Sequence, residues 1–191
     1  MNTHYKIEGK ALQLANAFGF LFPGEVFLIQ AITQTLKDNG VVVCLGTGAG
    51  TFTLAVAEIN PKLEIYSIDI SEGGPEGGLL NERNAFDNAG IKPYPIQILG
   101  DTNKVCNRWT KISKGKKIDL LLIDADHSTK SLIGDIEGWL PYINNKGFVL
   151  FHDYESKFWA GVKSVIDERI NAPTWRKVLL VDTLIAFQRA K

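Results

Sequence analysis

Two short acidic segments, each containing a histidine, are the part of this 191-residue sequence best suited to chemistry. The first is residues 124–128, which read DADHS, and the second is the pair His152-Asp153. Each directly follows an apolar run of the kind that forms a buried strand. Because the carboxyl ends of parallel strands meet at one edge of a sheet, we expect both segments to border the same crevice. Imidazoles and carboxylates that converge there can form a metal site, supply a general base, or do both.

Each residue of these segments also has a simpler interpretation when it is taken alone. Asp126 or Ser128 can cap the helix that follows, and His152 can be a buried histidine whose hydrogen bonds are satisfied. The repetition of the same residue types at two strand ends favours a functional interpretation.

A glycine-rich turn follows the first apolar run, Val41–Leu45, and precedes a helical pattern. Glycines at this place let the backbone approach a ligand that a Cβ would block. Asp69 ends the next apolar run, where its carboxylate can accept hydrogen bonds from the ribose hydroxyls of an adenosine ligand. A nicotinamide dinucleotide is the competing ligand, but its G-x-G-x-x-G/A pattern needs Gly or Ala where this sequence has Thr51.

The elements that must position these residues alternate along the chain. The strand-like runs are nearly all apolar rather than alternating, as a parallel sheet covered on both faces requires. They are Val41 to Leu45, Leu63 to Ile68, Tyr94 to Leu99, Ile118 to Ile123 and Gly147 to Phe151. Helical patterns lie between and after them, over Thr51 to Ile59, Gly77 to Ala89, Thr102 to Ser113, Ser128 to Leu140 and Ala160 to Asn171.

The two ends of the chain complete a single predicted α/β domain over residues 1–191. Residues 1–37 form an N-terminal helical cap with two helices, Lys10 to Ala17 and Gly24 to Leu36. The runs Lys177 to Val181 and Leu184 to Gln188 predict a C-terminal antiparallel hairpin. The fold class is therefore Rossmann-like, a doubly wound and mostly parallel sheet. The aromatic residues Phe18, Phe20 and Phe22 either line a substrate pocket or pack the cap onto the core, and we favour packing.

The charge composition indicates which kinds of molecule the protein can bind. Lys and Arg number 21, as do Asp and Glu, and no basic run occurs. This predicts a small-molecule substrate and argues against binding to nucleic acid or a membrane surface. The sequence also lacks a signal-peptide pattern and a membrane-spanning run, so we expect a cytoplasmic protein. Neither Cys44 nor Cys106 lies in a metal-binding spacing, and both are expected to be inert.

Three segments, Val42 to Thr51, Tyr66 to Ile70 and Leu99 to Thr102, resemble the successive cofactor motifs of class I S-adenosylmethionine-dependent methyltransferases. The resemblance implies that S-adenosylmethionine is the cofactor. The residues it places around this cofactor are Gly46, Thr47, Gly48, Gly50, Asp69, Ile70, Asp101, Thr102 and Asp124. The family usually has an acid two residues before the first glycine, where this sequence has Cys44, so either the site binds its cofactor more weakly or the turn is held in another way.

A narrower resemblance covers Ile118 to Tyr154, which is similar to the macrocin O-methyltransferase and cephalosporin-hydroxylase-like group. It implies that Asp124 and Asp153 bind a divalent cation and that His127 is the catalytic base. His152 stands where the group has an acid, so it is either a third candidate ligand or a residue that contacts the ligands without binding the cation. Asp153 is a candidate catalytic residue as well as a ligand. Magnesium prefers oxygen ligands, whereas an imidazole favours manganese, iron or zinc.

The function predicted from these motifs is O-methylation of a small-molecule hydroxyl, with Mg²⁺ or another divalent cation assisting. The sulfonium of the donor already carries an activated methyl group, so the enzyme must align it with the acceptor and remove a proton. Two alternatives remain at this point. One is a non-catalytic S-adenosylmethionine-binding protein, and the other is an NAD-dependent oxidoreductase.

Overall fold

Seven strands form one sheet at the centre of the protein, in the order β3-β2-β1-β4-β5-β7-β6. The computed structural model describes residues 9–18 and 20–190. The strands are β1 (Val41–Leu45), β2 (Glu64–Asp69), β3 (Ile96–Leu99), β4 (Ile118–Ile123), β5 (Ile143–Phe151), β6 (Trp175–Val181) and β7 (Leu184–Arg189). The helices are α1 (Lys10–Phe18), α2 (Pro23–Thr33), α3 (Thr51–Ile59), α4 (Leu79–Ala89), α5 (Thr102–Val105), α6 (Trp109–Ile112), α7 (Thr129–Trp139) and α8 (Ala160–Arg169).

The direction of the strands agrees with the predicted fold class. Strands β1 to β5 pair in parallel, while β7 runs antiparallel to both of its neighbours, β5 and β6. The chain winds from β1 outward to β3 and then returns to β4 on the other side of β1. This change of direction opens a crevice beyond the carboxyl ends of β1 and β4, where ligands bind in sheets of this kind.

The apolar pattern of β1 explains why both faces of the sheet are covered. All five residues of β1 are buried. Val43 and its same-face neighbours pack with Trp109 and Trp139, on the side of α5 to α8. Val42 and Cys44 face the opposite side, where they pack with residues of α1 to α4 such as Ile29. A strand buried on both faces has no polar alternation, which is the pattern that the sequence shows.

Several elements differ in extent from the sequence prediction, and three of them show why. The helix predicted over Thr102 to Ser113 is two short helices, α5 and α6, joined by a 3₁₀ turn at Cys106–Arg108. Strand β3 begins only after Pro95, because prolines lack the N–H that a ladder needs. Strand β5 begins earlier than predicted, at Ile143, and its register against β4 shifts before it reaches Phe148.

The N-terminal helices cover one face of the sheet by packing against α3. Residues 1–8 and residue 19 of the predicted cap lie outside the described residues. Within the described part of the chain, no helix is long and apolar enough to cross a membrane.

Candidate active site

A cavity of about 830 Å³ opens at the edge of the sheet where the parallel strands end, which we call the carboxyl edge. This volume lies in the range of small-molecule and cofactor sites. The cavity brings together most of the residues predicted from the sequence. It is lined by Gly46, Gly48, Asp69, Ile70, Asp101, Thr102, Asp124, His127, His152 and Asp153. The predicted residues Thr47 and Gly50 do not line it, and they act on the shape of the glycine turn instead.

The glycine turn, residues 46–50, is tightly packed against the neighbouring strands and helices. Gly46 has a left-handed backbone with φ of +81°, and a Cβ there would lie 2.1 Å from the carbonyl oxygen of Asp124. Gly50, at φ +87°, precedes α3, and its Cβ would lie 2.7 Å from Cα of Glu82. A side chain at either position would force the turn away from the sheet.

Asp69 holds the glycine turn from the end of β2. Its Oδ2 accepts hydrogen bonds from the backbone N–H of Thr47 at 2.7 Å and from the Thr47 hydroxyl at 2.8 Å. Its Oδ1 accepts the N–H of Ser71 at 2.8 Å. The Cys44 thiol, where an acid is usual, donates to the carbonyl oxygen of Gly46 at 3.0 Å. The turn is thus fixed by Asp69 and by the thiol.

Glu82 is a buried carboxylate behind the glycine turn that sequence reasoning missed. It accepts hydrogen bonds from the hydroxyls of Thr53 and Ser67, both at 2.6 Å, and from the amide of Gln97 at 2.8 Å. Burial raises the pKa of its carboxyl group. The only signal for Glu82 is that it lies on the buried face of α4, and this face can be recognised only when the bounds of the helix are known.

Four side chains meet in the wall of the cavity, and we call Asp124, His127, His152 and Asp153 the acid–imidazole cluster. The Nδ1 atom of His152 lies 3.1 Å from Oδ1 of Asp124 and 3.3 Å from Oδ2 of Asp153. The Nε2 atom of His127 lies 2.9 Å from Oδ2 of Asp153 and 3.5 Å from Oδ1 of Asp124. One potential ligand atom from each residue lies within 4.8 Å of the other three.

In the acid–imidazole cluster, each carboxylate favours the charged form of the nearby histidines, and the histidines favour the charged form of the carboxylates. Burial alone would lower the pKa of His127, but the adjacent carboxylates of Asp124 and Asp153 raise it to about 9. Burial likewise opposes the charged form of His152, yet Asp124, Asp153 and Glu25 hold its pKa well above the usual range. Burial would raise the pKa of Asp153, and the two histidines instead lower it far below its usual value.

Two local features fix the direction of these side chains. Asp153 has a left-handed backbone with φ of 57°, which is uncommon for a residue other than glycine and recurs at functional sites. The ring of His127 stacks on that of Trp159, with 4.9 Å between centroids and 17° between planes. Trp159 also lines the cavity. The stack leaves Nε2 of His127 pointing at the carboxylates.

The acid–imidazole cluster has a donor set that fits a divalent cation. It combines two carboxylate oxygens with imidazole nitrogens, a mixture that suits manganese, iron, cobalt or zinc better than magnesium. The Nε2 atom of His127 is buried and has no hydrogen-bond partner, because its close approach to Asp153 lacks suitable alignment. Buried polar atoms normally have a hydrogen-bond partner, so this nitrogen marks the cluster as a candidate for binding a ligand or exchanging a proton.

The three phenylalanines of the N-terminal segment do not form the packing unit that we favoured. Phe18 and Phe22 are 58% and 47% exposed, respectively. Phe20 lines the cavity instead, close to Gly48. At Phe20, therefore, the pocket interpretation is the better one.

Comparisons with known proteins agree with this geometry. A family model described as a methyltransferase domain matches residues 43–154. An uncharacterized protein of Acanthamoeba polyphaga mimivirus is 26% identical over 148 residues, which are 76% of this chain and 66% of that protein. A ribosomal-protein methyltransferase of Exiguobacterium sibiricum is 33% identical over 76 residues, or 40% of this chain and 22% of that protein. The chain thus spans about two thirds of the first relative's length and under a quarter of the second's.

Solved structures with the same fold include two bacterial proteins. An O-methyltransferase from Bacillus cereus, solved in complex with SAH, has a TM-score of 0.72 at 14% identity, covering 95% of this chain and 89% of its own. A protein from Klebsiella pneumoniae that is proposed to be an O-methyltransferase has a TM-score of 0.75 at 13% identity, covering 97% and 92%. The predicted resemblance and the predicted fold are both confirmed. The chain belongs to the methyltransferase-domain family, among the class I S-adenosylmethionine-dependent methyltransferases.

Proposed function

We propose that this protein transfers the methyl group of S-adenosylmethionine to a hydroxyl oxygen of a small molecule, with a divalent cation held by Asp124, His152 and Asp153. One observation carries the proposal: a single cavity is lined both by Gly46, Gly48 and Asp69, which we call the donor end, and by the acid–imidazole cluster, which we call the acceptor end. A donor at the first end and an acceptor at the second can therefore meet inside one cavity. Such alignment supplies a large part of the catalysis of group transfer.

The donor end binds the adenosyl part of the cofactor. Asp69 accepts a hydrogen bond from a ribose hydroxyl with the Oδ1 lone pair that Ser71 leaves free. Asp101 and Thr102, at the start of α5, lie beside the adenine. Gly46 and Gly48 let the methionine part of the donor approach the end of β1. Ile70 is 77% exposed, which suits an apolar cover for the adenine ring.

The acceptor end removes the proton of the attacking hydroxyl. We assign the base to His127, whose Nε2 lies 2.9 Å from Oδ2 of Asp153 at the cavity wall; because its pKa is raised to about 9, the neutral imidazole that accepts the proton predominates only at alkaline pH. Asp153 orients this imidazole and stabilises the charge that it gains. A cation bound at the cluster supplies Lewis-acid activation of the hydroxyl and a fixed orientation for it. Trp159, stacked on His127, keeps the ring in place and shields it from water.

The similarity to the O-methyltransferase of Bacillus cereus, which was solved in complex with SAH, supports the choice of donor and of oxygen as the acceptor atom. The non-catalytic alternative leaves the acid–imidazole cluster without a role. The oxidoreductase alternative is not favoured, because the family match is to a methyltransferase domain.

Calorimetric titration with S-adenosylhomocysteine, and with NAD as the matched competitor, tests the donor assignment. We expect micromolar or tighter binding of the first and no heat from the second. Binding of NAD alone would overturn the proposal. Measurable affinity for S-adenosylhomocysteine, together with no methyl transfer to any hydroxyl compound, would favour the non-catalytic alternative.

A further inference from the structure

Glu25 is a buried acid on α2, an otherwise apolar helix whose remaining residues carry no charge. Its side chain is 0% exposed. Burying a carboxylate is costly unless every lone pair meets a donor, so the partners of this group indicate what it does.

Three hydrogen bonds to Glu25 come from two residues, Phe22 and Thr183. The backbone N–H of Phe22 donates to Oε2 at 2.8 Å, which closes the first turn of α2. The N–H and the hydroxyl of Thr183 donate to Oε1 at 2.9 and 2.8 Å from the β6–β7 turn. A carboxylate needed only to cap the helix would lie at the surface and would accept the first of these bonds alone.

The fourth contact joins Glu25 to the acid–imidazole cluster. Oε2 of Glu25 lies 3.2 Å from Nε2 of His152, a side chain that is itself only 8% exposed. An ionised carboxylate can only accept, so this contact keeps a proton on Nε2 of His152. The other nitrogen, Nδ1, is then the one directed at Asp124 and Asp153.

We propose that Glu25 is a positioning residue that holds His152 as the third ligand of a cation with Asp124 and Asp153, making the site selective for manganese, iron, cobalt or zinc over magnesium. This inference rests on the proposed function, because it requires a cation at the cluster. Asp124, Asp153 and Nδ1 of His152 would hold the cation together, and any proton on Nδ1 would leave to solvent so that its lone pair could bind. The Nε2–H group of His152 would keep its hydrogen bond to Glu25, and metal-bound histidines are commonly oriented by a bond of this kind.

The test compares cation binding to the whole wild-type protein, to Glu25→Gln and to Asp119→Asn. Asp119 is a matched control, since its carboxylate also accepts a backbone N–H, from Val41, at the opposite edge of the sheet. Cobalt and magnesium are titrated separately, by visible absorption and by calorimetry. We expect cobalt to bind wild type and Asp119→Asn alike and to bind Glu25→Gln about 10- to 100-fold more weakly. We also expect the preference for cobalt over magnesium to shrink in Glu25→Gln.

Each other outcome has a defined meaning. Wild-type cobalt affinity in Glu25→Gln would overturn the role of Glu25 and leave the proposed cation site standing. Absence of cation binding to wild type would overturn both the cation site and this inference, while methyl transfer could still be observed without it.

A second measurement needs no variant and guards against a Glu25→Gln protein that fails to fold. Long-range ¹H–¹⁵N correlation spectra of the zinc-loaded wild-type protein report which nitrogen of His152 carries the proton. We expect the proton on Nε2 and zinc on Nδ1. The opposite assignment would overturn the proposal.

Discussion

His127 and His152 are the same residue type at similar positions, but their partners give them different roles. Both nitrogens of His152 face carboxylates, which leaves neither free to take a proton from a substrate. His127 directs Nε2 at the carboxylates of Asp153 and Asp124, but without an aligned hydrogen bond. Which histidine is the ligand and which is the base therefore depends on the hydrogen-bond partners of each imidazole, not on the residue type.

The cation assignment is tested at Asp153. Its carboxylate contacts both histidines, so Asp153→Asn removes an anionic ligand and loosens His127 together. We expect chelation with EDTA to lower methyl transfer by the wild-type protein and added manganese to restore it. In Asp153→Asn, added manganese should not restore methyl transfer. Asp119→Asn, at the far end of β4, is the control and should behave as wild type. Full activity after exhaustive chelation would show that the acid–imidazole cluster works without a metal.

The donor assignment is tested at Asp69. Loss of its charge-assisted bonds in Asp69→Ala should weaken S-adenosylhomocysteine binding by about 1.5 to 3 kcal/mol. Thr47→Val removes the hydroxyl contact to Asp69 and keeps the backbone contact. It therefore tests the ordering of the glycine turn apart from direct binding of the cofactor by Asp69. We expect it to weaken S-adenosylhomocysteine binding less than Asp69→Ala does. Calorimetry measures both. An Asp69→Ala protein with wild-type affinity would refute the assignment.

Helices α5 and α7 meet at a buried acid, Asp135, whose environment makes stability depend on pH. Oδ1 accepts the amide of Asn103 at 2.9 Å, while Oδ2 is buried without a partner. Burial raises the pKa of this carboxyl group from 3.8 to about 6. The folded protein therefore binds a proton that the unfolded chain has lost, and this contribution to stability disappears as the pH rises from about 4 to about 6.

Asp135→Asn mimics the protonated form at every pH. Relative to wild type, we expect its free energy of unfolding to rise with pH between about 4 and 6 and to be higher by up to about 3 kcal/mol at pH 8. Urea unfolding at pH 4.5 and 8 measures the difference. Glu137→Gln, an exposed change on the same helix, should show no such trend. A difference between wild type and Asp135→Asn that does not vary with pH would contradict the account of Asp135.

The elements that sequence reasoning predicted best are those whose signals are local. The bounds of β1, α3 and β4 coincide with the predicted ones, because unbroken apolar runs and the glycine turn mark their ends. The region from Thr102 to Ser113 has a helical composition, but a 3₁₀ turn that lies against α7 interrupts it, and a contact between distant segments has no local signal.

The whole molecule shows why the candidate site was only partly predictable. Parallel strands bring their carboxyl ends together, so Asp69, Asp124, His127 and the pair at the end of β5 could be placed from the sequence alone. Glu25 approaches the same edge from a helix that is 127 residues away from His152 along the chain. Its only sequence signal is a single charge in the apolar helix α2, which local patterns cannot connect to a partner.

The measurement that tests the central claim most directly follows a deuterated methyl group from S-adenosylmethionine into small hydroxyl compounds by mass spectrometry, for wild type and His127→Ala. General-base catalysis contributes about 10²- to 10⁴-fold, so we expect His127→Ala to transfer the label that much more slowly with unchanged affinity for S-adenosylhomocysteine. In wild type, the label should reside on oxygen. A label on nitrogen or carbon, or wild-type turnover in His127→Ala, would contradict the proposed O-methyl transfer with His127 as base.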